Sequence, residues 1–170
     1  MNTTTHTFPN RTLRMLVLIA CLLLPLAACK KEEPVAVVKA PLTAPANDDR
    51  QAWMDYLSDV VTRNMEGIAN QPYVYMLPAE STPDFQDQYD RLLEKAKTDV
   101  ARGIIAGNLL AYGSSTSAKM ADLVVASFEG AALNSMKGVK VLFIGDAADN
   151  PRVQAAVTPA GVDYKFIEAK

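Results

Sequence analysis

The side chains that most often do chemistry are scarce in this chain, and their positions say more than their number. One histidine, His6, and two cysteines, Cys21 and Cys29, all lie within the first 29 of 170 residues. Hydroxyls and carboxylates are left for the rest. In AYGSSTSAKMADLV, residues 111–124, Gly113 is followed by Ser114, Ser115, Thr116 and Ser117 between an apolar run and a helical pattern. Backbone N–H groups at a helix start, helped by hydroxyl donors and by Lys119, suit a phosphate or other anion. Gly145, Asp146 and Asp149 follow a second apolar run, and Glu80 and Ser81 follow a third. Such acids have the oxygen chemistry of a Mg²⁺ or Ca²⁺ site, and paired carboxylates also serve glycoside hydrolysis. The same residues have plainer uses, since Ser and Thr cap helices and acids favour the positive end of a helix dipole. Both readings stay open on the sequence.

Cys29 has a more specific setting. Arg11 and Arg14 precede an apolar stretch from Met15 to Leu26, too short for the roughly 20 residues that span a bilayer but suited to the apolar part of a secretory signal. Leu26-Ala27-Ala28-Cys29 then resembles the bacterial lipobox. The resemblance implies cleavage before Cys29, a diacylglyceryl thioether on its sulfur and an amide-linked acyl chain, palmitate being typical. Several acyl chains together anchor a protein stably. Lys30 stands where aspartate would signal inner-membrane retention, which implies the inner leaflet of the outer membrane, facing the periplasm.

On that expectation residues 1–28 leave as a lipoprotein signal peptide and take His6 and Cys21 with them. The remaining 142 residues have no imidazole, no free thiol and no disulfide, which excludes Ser-His-Asp catalysis, cysteine nucleophiles and His/Cys zinc sites. They carry 15 Lys and Arg against 19 Asp and Glu. With no basic stripe bearing aromatic platforms, nucleic acid is not an expected partner.

The elements that must position the candidate residues follow from periodicity. KKEEPVAVVKAPLTAPANDD, residues 30–49, has no period and three prolines, so 29–49 reads as an acylated cysteine with an extended tether. Trp53, Tyr56, Leu57, Val60, Val61, Asn64 and Ile68 mark one helix face over about 50–69. YVYML is a strand, and Ser81 to Asp84 open a helix striped by Phe85, Tyr89, Leu92, Leu93, Ala96 and Val100. GNLLAYG, VKVLFIG and VDYKFIE are further strands, with helices after Gly113 and from Asn150-Pro151. LLAY and VLFI are continuously apolar, as buried central strands are, whereas VDYKFIE alternates and belongs at an edge. Residues 50–170 are therefore expected to form a single layered α/β domain, αβαβαβαβ, with about four mostly parallel strands, Rossmann-like or flavodoxin-like.

In such sheets ligands lie beyond the carboxyl ends of the strands, where Glu80, Gly113–Ser117, Asp146 and Asp149 gather. Gly113, Ser114 and Thr116 resemble the start of the flavodoxin phosphate loop, although Ser117, Ala118 and Lys119 stand in place of its Gly-Asn-Thr. The resemblance implies an FMN phosphate at this loop. Without it the residues imply no cofactor and no metal. Tyr73 and Tyr75 share one face of a strand near a sheet edge and form a candidate partner patch. The first functional expectation is a non-catalytic envelope lipoprotein whose tethered domain docks a protein partner, as a secretion or envelope-assembly component or as an immunity-type protein that neutralises a periplasmic toxin. The alternative is a small-ligand or anion-binding domain, a weak enzyme at most, using Gly113, Ser114, Ser115, Thr116 and Asp146.

Overall fold

The structure is a computed structural model describing residues 39–170. The expected signal segment, Cys29 and the first part of the expected tether lie outside the described residues. Helix α1 (Arg50–Thr62) is followed by β1 (Tyr73–Tyr75), α2 (Phe85–Ala101), β2 (Leu109–Gly113), α3 (Ser117–Phe128), β3 (Lys140–Gly145), α4 (Asn150–Val157), a 3₁₀ turn (Thr158–Ala160) and β4 (Asp163–Glu168). The strands form one parallel sheet in the order β1-β2-β3-β4. This is the α/β class expected. Every residue of β2 is buried and β4 is mostly not, so the continuous and alternating patterns sort into central and edge strands as predicted.

Because each new strand is added on the same side of the last, crossovers of one hand must all return over one face. There α2, α3 and α4 pack on Tyr75, Leu110, Tyr112, Val141 and Phe143. The opposite face is covered by α1 alone, through Trp53, Tyr56, Leu57, Val60 and Val61 against Leu109, Ala111, Leu142 and Ile144. Ala40–Lys170 make one compact unit, which contains the whole sheet and both cores, so the interactions that hold the fold lie within it. The last part of the tether belongs to that unit. Leu42 N–H donates to Asp59 at 3.1 Å, Ala44 N–H to the Lys170 carbonyl at 3.2 Å, and Asp49 caps α1 by accepting from Ala52 N–H at 2.8 Å.

Two boundaries differ from the periodicity. The first helix ends at Thr62 rather than Ala69, because Asn64 Nδ2 folds back on the Val60 carbonyl and Lys140 Nζ draws the carbonyls of Asn64 and Glu66 to 3.1 and 3.0 Å. The first strand stops at Tyr75, short of Met76-Leu77.

Candidate functional site

The carboxyl rim of the sheet brings most of the predicted residues together, and its geometry shows what each does. Gly113 ends β2 where a Cβ would meet Leu57 Cδ2 at 2.6 Å and Ile144 Cβ at 3.1 Å. Its missing side chain lets α1 lie close to the sheet. Ser114 is buried, and its Oγ accepts from Thr116 N–H at 3.2 Å in a tight turn that leads into α3. Ser117 is the centre of the rim. Its Oγ donates to Asp149 Oδ2 at 2.7 Å and accepts from Asp146 N–H at 2.8 Å, which ties the β2–α3 loop to the β3–α4 loop. Gly145 makes room for this, since a Cβ there would stand 2.6 Å from Ser117 Oγ.

Asp149 in turn receives Arg152 Nη2 at 2.8 Å, and Arg152 also bonds Asp122 and the Ala118 carbonyl. Burial opposes the charge on Asp149, yet the bonds from Ser117 and Arg152 outweigh it and hold the carboxyl below its ordinary value. The bond to Asp122 chiefly raises Arg152. These groups satisfy one another. Asp146 and Glu80 have exposed side chains, and Ser115 reaches a small rim cavity of about 140 Å³ beside Trp53 and Thr82. Thr116, at the N-cap position of α3, makes no side-chain cap bond. Among the described residues no group of three or more acids, histidines or cysteines is placed to hold a metal. The sequential strand order also never reverses, so the crevice that holds ligands at the switch point of a doubly wound sheet is not formed.

The predicted Tyr73 and Tyr75 patch divides. Tyr75 is fully buried and stacks on Tyr112, its partner in the sheet register, with ring centroids 4.5 Å apart and planes within 9°. Its hydroxyl donates to Asp99 Oδ2 at 2.7 Å, which Lys95 Nζ reaches at 2.6 Å. Burial first, then Tyr112 and Asp99, push Tyr75 well above the usual phenol range. Burial likewise resists ionisation of Asp99, but the Lys95 and Tyr75 bonds prevail and its carboxyl is lowered. Tyr75 therefore belongs to the core, and only Tyr73 reaches the surface.

Exposed apolar surface lies elsewhere. Ile105 and Leu133 are 74% and 76% exposed, and Tyr73 37%. All three stand where chain enters the sheet, at the amino ends of the strands, opposite the rim the sequence pointed to. An open concavity of about 640 Å³ there is lined by Tyr73, Ile104 and Ile105 with Asn70, Arg102 and Asn108 around them. Sequence reasoning missed this end, although the pair Ile104-Ile105 between two glycines was its visible trace. Compared with known proteins, the chain matches no family model, no curated protein and no solved structure.

Proposed function

We propose that this chain is an envelope lipoprotein, acylated at Cys29 and held in the inner leaflet of the outer membrane, whose α/β domain docks a protein partner through the amino end of its sheet. The supporting observation is the exposed set Tyr73, Ile105 and Leu133, with the concavity beside Tyr73 and Ile105 rimmed by Asn70, Arg102 and Asn108. Apolar and aromatic centres within a rim of Arg and amides are the anatomy of protein interfaces. The carboxyl rim, by contrast, spends Ser114 and Ser117 on its own loops.

Photo-crosslinking in intact cells tests the reading. A photoreactive residue at Tyr73 or Ile105 is expected to capture one discrete envelope protein, and the same residue at exposed Asp146 on the rim is not. Equal capture from Asp146, or none from Tyr73 and Ile105, sinks the proposal. Intact-mass measurement of the membrane-extracted protein tests the anchor, which predicts an N-terminal acylated Cys29.

A further inference from the structure

The sheet face under α1 is only half covered. That helix lies over β2 and β3, while on β1 the Val74 side chain is 47% exposed, as is Met54 across from it on α1. Between them runs a groove of about 550 Å³, lined by Met54, Val61, Met65, Val74 and Met76, with Arg50 among its residues at the first turn of α1. That volume and that apolar lining with few polar groups are those of small-molecule sites, which span about 300–1,000 Å³. Three of the chain's seven methionines line it, and unbranched thioethers mould themselves to flexible apolar ligands. Between Arg50 and Thr62 the helix runs about 18 Å at 1.5 Å per residue, so the track is long as well as apolar.

Arg50 identifies the ligand. It opens α1, whose first turn holds no acid, at the helix end where the dipole disfavours a cation. It forms no ion pair among the described residues, and no carboxylate lines the groove. In a chain richer in acids than bases, an apolar track whose lining holds no acid and whose one guanidinium makes no ion pair among the described residues, although Asp48 lies beside it on the neighbouring rim cavity, is complementary to an apolar chain ending in an anion. The planar fork of arginine matches a carboxylate bidentately.

We infer that the groove between α1 and β1 binds a single-chain amphiphile with a carboxylate head, a long-chain fatty acid by class, with the head on Arg50 and the chain along Met54, Val61, Met65 and Val74. This goes beyond the docking proposal and does not depend on it.

Calorimetric titration of the 40–170 unit with dodecanoate, kept below its micellar concentration, tests the inference. One saturable site per chain is expected. Arg50→Gln should weaken dodecanoate by about tenfold, the loss of one charge-assisted bond, while dodecanol binding stays within about twofold. Val74→Glu and Met54→Glu, both at exposed positions, should remove binding of either probe while far-ultraviolet circular dichroism stays unchanged. Non-saturable uptake, unaltered dodecanoate affinity in Arg50→Gln, or full binding by both glutamate variants overturns it. So does a dimer in sedimentation that Val74→Glu dissociates and dodecanoate does not, since a second copy would then fill the groove.

Discussion

Ser117 Oγ lies 2.7 Å from Asp149 Oδ2, a bond across 32 positions of sequence that fastens two neighbouring βα loops at the carboxyl end of the sheet. Through the same oxygen Ser117 also accepts from Asp146 N–H. A hydroxyl read from the sequence as an anion donor thus serves as a cross-brace between strands β2 and β3.

Removing that brace should be costly. Ser117→Ala leaves the Asp146 N–H without its partner and withdraws a donor from Asp149, so a loss of about 1–3 kcal/mol in urea unfolding is expected. Ser115→Ala, two residues away and without a bond to lose, should change stability by no more than about 0.5 kcal/mol. Equal effects would show that the brace contributes nothing.

Gly145→Ala tests the same joint from the other side. The added methyl would press on Ser117 Oγ at 2.6 Å and Phe143 Cζ at 2.9 Å, and overpacking of this kind costs about 1–3 kcal/mol. Combined with Ser117→Ala the cost should fall, because one of the two clashes has gone. A double-mutant cycle with no coupling would contradict the geometry.

The tyrosine stack predicts opposite signs for similar changes. Tyr112 Oη is buried without a hydrogen-bond partner among the described residues, so Tyr112→Phe should leave stability unchanged or raise it by about 1 kcal/mol. Tyr75→Phe deprives Asp99 of a donor and should lower it by a similar amount. Thermal unfolding of the two variants side by side decides this, and a destabilised Tyr112→Phe would contradict it.

Acid sensitivity follows from the lowered carboxyls of Asp99 and Asp149. A carboxyl whose folded value is depressed contributes stability that is complete above its unfolded value, near 3.8, and is lost as pH falls through the lower folded value. Unfolding free energy should therefore fall on acidification below about pH 4. Asp149→Asn should be less stable at pH 7 and show a shallower acid limb. An acid limb as steep as that of the parent protein would remove Asp149 from the account.

The class of the fold was legible in the chain. LLAY and VLFI are apolar without interruption because strands covered on both faces have no solvent side, and DYKFIE alternates because its edge position leaves one. Those patterns are local consequences of burial, and local patterns survive in a sequence. The end of α1 was less legible, because the lysine that takes the carbonyls of the turn after it, at Asn64 and Glu66, is Lys140, 76 positions beyond Asn64.

The candidate residues divide on the same principle. Composition alone confined imidazole and thiol to the first 29 residues, and residue types alone placed hydroxyls and acids after the strands. Whether a hydroxyl faces a ligand or another loop depends on what the fold brings within 3 Å of it, and only tertiary structure set Asp149 against Ser117, buried Tyr75 on Tyr112, and left Ile105 and Leu133 bare at the opposite end. The groove beside Arg50 arises in the same way. A strand order that never reverses sends three helices to one face and leaves β1 open on the other, and that order is a choice among strand neighbours that no single stretch of the chain encodes.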